Sequence, residues 1–356
     1  MEDIRENKQE PHKRRVHYSG KYPKKYEEKY KEHDPEKYAD TIEHVKAKGN
    51  TPAGTHISIM VDECLEHLAI HEGDNGLDCT FGYGGHSRRM LEALNGTGHL
   101  TSLDVDPMEA AKSLDRIRKL GYEDDRFSLE LTNFANVDEV ARKHGKFDFV
   151  LADLGVSSMQ IDNPERGFSY KVDSELDLRM DQTKGESAAT FLKRLSADEL
   201  TEILIRNSDE PYAEIIAKTI IKEKKNGRPV KTTVDMKNAV EKALIAAKVP
   251  GKELKDAVKK SCARCFQALR IEINGEFDAL ESLLGKLPDV LKPGARVVFL
   301  TFHSGEDRLV KQYFKEHFRE GIYSEIAQDV IRPSAKECVQ NPRAKSTKLR
   351  YAIFKG

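Results

Sequence analysis

The feature that most constrains the fold is a regular alternation of short apolar runs and amphipathic stretches between residues 57 and 153. The apolar runs are predicted as strands, at residues 76–81, 99–104, 127–131 and 147–153. Strands that alternate with helices at this spacing are typical of an open, mostly parallel sheet with helices on both faces. The sequence therefore predicts a doubly wound, Rossmann-like α/β domain.

The alternation stops between residues 164 and 261. Apolar residues there recur at helical spacing, and the clearest of them are Leu192, Leu195, Leu200, Ile203 and Leu204. The α/β pattern returns with a helix predicted over 266–287 and an apolar strand over 296–302. We therefore predict one core domain made of residues 49–163 and 262–356. A helical domain of residues 164–261, which we assign to substrate recognition, is inserted into it.

Residues 1–48 form a separate zone that is rich in Lys, Arg, Glu and Tyr and has no apolar stripe. We predict a solvated, partly disordered extension. The alternative is an arm whose Tyr and Lys side chains stack on bases and contact phosphates.

Composition limits the classes of protein to which the chain can belong. No apolar run approaches the ~20 residues that span a bilayer, and residues 1–50 lack the apolar segment of a signal peptide. The five cysteines are scattered, which is typical of reduced thiols, so we expect a cytoplasmic protein and no metal site at Cys262 and Cys265. The 59 basic and 60 acidic residues argue against coating of nucleic acid by bulk charge, but a local basic site stays open.

A glycine-rich turn follows the first predicted strand, with the sequence Asp78-Cys-Thr-Phe-Gly82-Tyr-Gly84-Gly85-His86-Ser87. Ligands of such sheets bind beyond the carboxyl ends of the strands, where glycines allow close approach and a helix offers free N–H groups. Asp104 ends the second strand, roughly 20 residues later, where a carboxylate can accept both hydroxyls of a ribose. A nicotinamide cofactor stays open at this point, although the turn is not G-x-G-x-x-G.

The end of the fourth strand is the second candidate region. Asp153-Leu-Gly-Val-Ser-Ser158, followed by Gln160, places a carboxylate, two hydroxyls and an amide at the same edge of the sheet. The apolar strand directs Asp153 toward the cleft. The alternative for Asp153 is a helix cap.

Together these segments resemble the bacterial 16S ribosomal-RNA cytosine-N4 methyltransferase family. Besides the glycine-rich turn and the Asp153 segment, the resemblance rests on Asp162-Asn-Pro-Glu-Arg-Gly-Phe-Ser, Leu176-Asp-Leu-Arg-Met-Asp, Phe266-Gln-Ala-Leu-Arg-Ile, Phe302-His-Ser-Gly-Glu-Asp-Arg and Asn341-Pro-Arg-Ala-Lys-Ser. It implies a methyltransferase sheet with an inserted helical domain and S-adenosylmethionine as cofactor. By matching position it implies cofactor contacts at Gly84, Gly85, His86, Asp104, Phe134, Asp153 and Gln160.

The resemblance also implies methylation of a cytosine N4 amine in the decoding centre of 16S rRNA, presented in the small ribosomal subunit. Asp153 is our first candidate for accepting the N4 proton, and the alternative is that it serves the cofactor. His303 and Ser304 are expected to line the base pocket. The C-terminal stretch is locally basic, and we expect Arg343 and Lys345 to contact phosphates; solvated side chains are the alternative.

Other functions stay open from the sequence. One is a methyltransferase that acts on DNA or protein, and another is an assembly factor that binds the cofactor without turnover. No residues are predicted to hold a metal. The sequence does not distinguish a monomer from a homodimer.

Overall fold

The computed structural model describes residues 58–356, so the predicted extension at 1–48 and the first residues of the predicted core domain lie outside it. The described residues contain a seven-stranded sheet with the order β3-β2-β1-β4-β5-β7-β6. Its strands are β1 (Asn75–Asp78), β2 (His99–Asp104), β3 (Phe127–Leu131), β4 (Phe147–Asp153), β5 (Leu291–Thr301), β6 (Tyr323–Ile326) and β7 (Lys348–Phe354). Strands β1 to β5 pair in parallel and β7 runs antiparallel to β5 and β6. The predicted α/β class is confirmed.

Helices cover both faces of the sheet. They are α1 (Val61–Leu68), α2 (Gly85–Ala93), α3 (Pro107–Lys119), α4 (Val137–His144), α11 (Glu276–Val290) and α12 (Ser304–Arg319). Strand β4 shows why both faces are apolar: Phe149 and Leu151 pack with α1 and α2, while Val150 and Ala152 pack with α4 and α11. Successive side chains of a strand point to opposite faces, so a strand covered on both sides is apolar throughout.

A second group of helices packs around its own hydrophobic cluster. These are α6 (Ala188–Arg194), α7 (Ala197–Ser208), α8 (Ala213–Lys225), α9 (Thr233–Ala246) and α10 (Gly251–Asn274). Ser196 and Thr232 begin α7 and α9 with reciprocal capping boxes, which satisfy backbone N–H groups that a helix start leaves unpaired. Helix α10 runs without interruption across position 261, where the sequence places a domain boundary. Cys262 and Cys265 on this helix are both buried.

The prediction of a single helix over 266–287 is wrong, because two helices share this range. Helix α10 ends at Asn274, and α11 begins at Glu276 after Gly275, whose φ is 59°. A left-handed residue stops a helix, and glycine adopts that conformation without steric cost. Strand β1 is also shorter than predicted, because the chain leaves the strand after Asp78 to form the glycine-rich turn.

The C-terminal stretch is part of the sheet, which the sequence did not predict. Lys348 and Arg350 lie in β7, where their side-chain nitrogens are each 2.7 Å from the carboxylate of Asp307 on α12. Arg350 is buried. These two basic residues of the C-terminal stretch are therefore not part of a solvated tail, because they lie in the sheet and both pair with Asp307.

Two short helices complete the described chain near the site. Helix α5 (Ser158–Asp162) follows β4, and α13 (Ala335–Gln340) precedes a 3₁₀ turn, Pro342–Ser346. Across residues 58–356, every helix is too short or too polar to cross a membrane.

Candidate active site

Three carboxylates meet at one edge of the sheet because parallel strands end on the same side. Asp78, Asp104 and Asp153 are the last residues of the adjacent strands β1, β2 and β4. Asp153 pairs in register with Leu300 of β5, so His303, which lies just past the end of β5, follows at the same edge of the sheet. The edge is the one where sheets of this kind bind ligands.

The glycine-rich turn joins β1 to α2 and is anchored from α3. Gly82 and Gly84 have φ values of 48° and 79°, in the left-handed region that glycine tolerates. The Ser113 hydroxyl donates to the Gly82 carbonyl at 2.5 Å. The Arg116 guanidinium lies 3.7 Å from the centroid of the Tyr83 ring. The turn therefore has a fixed shape with backbone close to the cleft.

Gly85 begins α2 in a position that leaves no room for a side chain. A Cβ there would lie 1.9 Å from the Ser58 hydroxyl oxygen. We expect Gly85→Ala to lower the free energy of unfolding by about 1–3 kcal/mol and to weaken cofactor binding, because Ser58 or the turn must move. Urea unfolding and calorimetric titration with the cofactor measure the two effects.

Gly251→Ala is the matched control for this prediction. Gly251 is the first residue of α10, and a Cβ there meets no atom within 4 Å. The control is expected to be neutral or slightly stabilising. Adding Ser58→Ala to Gly85→Ala should restore part of the loss. An unchanged unfolding midpoint for Gly85→Ala alone would contradict the steric argument.

The Asp104 carboxylate is fixed by two backbone N–H groups and can accept further hydrogen bonds. Its two carboxylate oxygens each accept one backbone N–H, from Gly82 and from Asp106, both at 2.8 Å. Burial raises the pKa of Asp104 to about 6, against the effect of these donors. A carboxylate has about four acceptor positions, so two remain for hydroxyl groups. Phe134 lies in the 3₁₀ turn just after β3, whose Leu131 pairs with Asp104, and its half-buried ring packs on the sheet.

Asp153 has one buried oxygen that lacks a protein donor. Its backbone N–H donates to the Thr80 hydroxyl at 2.7 Å, and Oδ2 lies 3.5 Å from Nδ1 of His86. Oδ1 is buried and has no hydrogen-bond partner among the described residues. Burial raises the pKa of Asp153 to about 6. The His86 imidazole lowers this pKa, whereas the negative charges of Asp78 and Glu306 raise it further. Ser157 caps α5, so Asp153 is not the cap that was the alternative.

Asp78 is a site residue whose role the sequence analysis missed. It is fully buried, and it accepts hydrogen bonds from the Ser87 hydroxyl at 2.5 Å and from the Thr80 N–H at 3.0 Å. Burial raises its pKa, against the hydrogen bond from Ser87. Asp78 therefore holds the two ends of the turn together. The available signal was an acidic residue at the end of an apolar strand.

Gln160 and Arg166 connect the β4 loop to the β2 loop. The Gln160 carbonyl oxygen accepts the Ser157 N–H at 2.9 Å, and its amide nitrogen donates to Asp106 at 2.9 Å. The Arg166 guanidinium lies 2.8 Å from the same Asp106 carboxylate, and both side chains are only 1% exposed. Asp106 in turn caps α3. Gln160 thus has a structural role, and a cofactor contact by its second amide hydrogen stays a prediction.

The predicted substrate residues lie at two places. His303 begins α12 and forms a capping box with Glu306; its Nε2 is 3.0 Å from Glu306 Oε1. Burial by itself would raise the pKa of the Glu306 carboxyl. The His303 imidazole outweighs this effect and holds the pKa of Glu306 below its usual value. Ser304 is exposed, with its hydroxyl 3.4 Å from Asp209 at the end of α7. The sequence analysis did not identify Glu306.

The two predicted phosphate ligands lie in the 3₁₀ turn near the C-terminus. The Arg343 guanidinium donates to Asp162 at 3.0 Å, which connects this turn to the end of α5. Lys345 is exposed. Within residues 58–356, His, Cys, Asp and Glu side chains form no group of three or more that could hold a metal ion.

The whole chain is similar to proteins of one known family. Residues 53–355 match the model of the MraW methylase family. The chain is 56% identical to "Ribosomal RNA small subunit methyltransferase H 1" of Agathobacter rectalis, over 98% of this chain and 99% of the relative. It is also 56% identical to the protein of that name from Lachnoclostridium phytofermentans, over 98% and 94%. A third relative, "Ribosomal RNA small subunit methyltransferase H" of Thioalkalivibrio sulfidiphilus, is 38% identical over 85% and 98%.

Proposed function

This chain belongs to the MraW methylase family, and we propose that it transfers a methyl group from S-adenosylmethionine to the N4 amine of a cytosine in the decoding centre of 16S rRNA. The names of the relatives support the small-subunit RNA as substrate. The cytosine N4 amine follows from the resemblance described above. The observation that best supports amine methylation is the buried, unpartnered carboxylate oxygen of Asp153 at the end of β4.

The residues at the sheet edge fit S-adenosylmethionine. We assign the ribose hydroxyls to the free acceptor positions of Asp104 and the adenine ring to Phe134. Gly84, Gly85 and His86 form the wall of the turn, and Asp153 at the end of β4 and Gln160 on α5 close the site. S-adenosylmethionine supplies an electrophilic methyl group on a sulfonium, so the main task of the protein is to place the acceptor amine in line.

Asp153 has the properties that the acceptor amine requires. The N4 lone pair of cytosine is delocalised into the ring, and a carboxylate that accepts an N4–H hydrogen bond favours a pyramidal nitrogen and then takes the proton. Burial brings the pKa of Asp153 closer to neutrality, to about 6. This makes it a stronger base than an ordinary aspartate while it stays ionised at neutral pH.

The target base must leave its stack to reach Asp153, at a cost of a few kcal/mol that is smallest in non-helical RNA. We assign the walls of the base pocket to His303 and Ser304, which follow β5 beside Asp153. Since Asp209 lies 3.4 Å from Ser304, the end of α7 borders the same place. This position supports a role in substrate recognition for the helical segment, residues 164–261.

Lys345 is the predicted phosphate ligand with the simplest test. We expect Lys345→Ala to weaken RNA binding similarly for all sequences and to lower the slope of log affinity against log salt by about 1, because one phosphate contact is lost. Filter binding at several salt concentrations measures both. Lys119→Ala is the control, because Lys119 is exposed and pairs with Asp115 on α3. An unchanged slope for Lys345→Ala would contradict the assignment.

Transfer of labelled methyl from S-adenosylmethionine tests the reaction itself. The acceptors are small ribosomal subunits that lack the modification and, in parallel, free 16S rRNA. We expect label on N4 of a decoding-centre cytosine, mapped by nuclease digestion, and more label on the assembled subunit than on free RNA.

Other outcomes would select a different function. Label on DNA or on a ribosomal protein would identify another substrate. Cofactor binding without transfer to any acceptor, in both the unchanged protein and Asp153→Ala, would indicate an assembly factor.

A further inference from the structure

Both ring nitrogens of His86 have neighbours that define their protonation. Nε2 lies 3.0 Å from the carbonyl oxygen of Ile59, and a carbonyl only accepts hydrogen bonds, so Nε2 carries a hydrogen. In the neutral imidazole Nδ1 therefore has a lone pair, and Nδ1 lies 3.5 Å from Oδ2 of Asp153. The ring is 7% exposed. In its neutral form the ring thus directs a bare nitrogen at the carboxylate that we propose as the proton acceptor.

A neutral His86 beside an ionised Asp153 leaves two lone pairs facing each other across a contact that one proton would fill. We propose that His86 and Asp153 act as one proton-accepting unit, in which the proton lost by the acceptor amine comes to rest between Asp153 Oδ2 and His86 Nδ1. This inference rests on the proposed methyl transfer. It gives His86 a role in the reaction besides forming part of the cofactor turn.

The bonds and protons of the step balance without a further reactant. The amine lone pair forms the nitrogen–methyl bond, and the sulfur–methyl bond breaks with its electron pair left on sulfur. The N4–H bond breaks, and its proton goes to Asp153 and is shared with His86 Nδ1. Asp153 is 28% exposed, whereas the other nitrogen of His86 is occupied by Ile59. The proton therefore returns to solvent through Asp153.

The other ionisable groups around this pair are occupied. Asp78 lies beneath it and accepts from Ser87 and Thr80, and Glu306 on α12 is paired with His303. Burial raises the pKa of the Cys64 thiol on α1, which stays protonated. Among the described groups that interact with Asp153, His86 is thus the one with a vacant proton position.

His86→Gln separates proton acceptance from anchoring. The glutamine amide can still donate to the Ile59 carbonyl, but it cannot hold a proton. We expect the single-turnover rate of methyl transfer, measured at its high-pH plateau, to fall roughly 10- to 100-fold. We also expect the rise of rate with pH to move to higher pH, because His86 lowers the pKa of Asp153 and an uncharged glutamine does not. The affinity for S-adenosylmethionine, measured by calorimetry, should change by less than ~3-fold, since less than 1 kcal/mol is then lost.

A merely structural role for His86 would give a different pattern. The rate would then fall only as far as cofactor affinity falls, and the pH of the rise would not move. Either a plateau within about twofold of the unchanged protein, which is less than 0.5 kcal/mol, or an unmoved pH of the rise would overturn the proposal.

A second measurement does not depend on turnover. We expect ¹⁵N NMR of the cofactor-free protein to show that the neutral form of the His86 ring carries its hydrogen on Nε2. In Asp153→Asn the amide can donate to the bare nitrogen, so the Nδ1 signal should move toward that of a hydrogen-bonded nitrogen. A neutral ring with its hydrogen on Nδ1, or an Nδ1 signal that Asp153→Asn does not move, would overturn the proposal. If the unchanged protein methylates no RNA while NMR shows the coupling, the proposed function fails and the proton-sharing pair stands.

Discussion

Arg166→Met is expected to lower the free energy of unfolding by about 3–5 kcal/mol, because Asp106 would remain charged and unpaired in the interior. The two side chains are each 1% exposed and 2.8 Å apart. Arg166 also donates to the carbonyl of Met180 at 2.6 Å, so the substitution leaves a partly buried acceptor without this donor. Urea unfolding followed by circular dichroism measures the change.

A surface arginine provides the matched control. Arg142 on α4 is 68% exposed and pairs with Asp138 at 3.2 Å, so Arg142→Met should cost less than about 1 kcal/mol. Adding Asp106→Asn to Arg166→Met should recover part of the loss, because it removes the unpaired charge. Equal unfolding midpoints for Arg166→Met and the control would show that the buried pair contributes no net stability.

Arg166→Met is also expected to disturb the cofactor site. The Asp106 N–H donates to the carboxylate of Asp104, and the Asp106 side chain accepts from Gln160. Loss of Arg166 therefore frees the loop that fixes the predicted ribose ligand. This connection explains why a residue of the Asp162-Asn-Pro-Glu-Arg-Gly-Phe-Ser segment matters at the sheet edge.

Runs of apolar residues in the sequence correctly predicted those strands whose burial can be recognised from the strand's own residues. The bounds of β2, β3 and β4 agree with the predicted ones, because each strand coincides with a short, largely apolar run in the sequence. The carboxylates Asp104 and Asp153 were identified for the same reason, since each ends such a strand.

Features that depend on distant partners were not predicted. Strand β7 was missed because Lys348 and Arg350 make it look like a basic surface, and the Asp307 carboxylate that pairs with both of them belongs to α12. Arg166 looks exposed in sequence, and its burial depends on Asp106, which lies 60 positions earlier. The break at Gly275 was missed because a single glycine inside a helical pattern is compatible with either outcome.

Asp153→Asn is expected to lower single-turnover methyl transfer by roughly 10²- to 10⁴-fold, the contribution of a positioned general base. Asparagine keeps the size of the side chain and the backbone bond to Thr80, which is 2.7 Å long. Cofactor binding should therefore persist, as measured by calorimetry. Asp148→Asn is the control, because Asp148 lies at the other end of the same strand and pairs with Lys292 at 2.7 Å.

The pH dependence of the unchanged protein follows from the same carboxylate. The pKa of Asp153 is raised to about 6, and only the ionised form accepts a proton. The rate should therefore fall about tenfold for each pH unit below this value and level off above it. Asp153→Asn should abolish this rise, whereas Asp148→Asn should retain it. If Asp153→Asn lost cofactor affinity instead, with the remaining rate still rising through the same pH, Asp153 would serve the cofactor, and another group would accept the N4 proton.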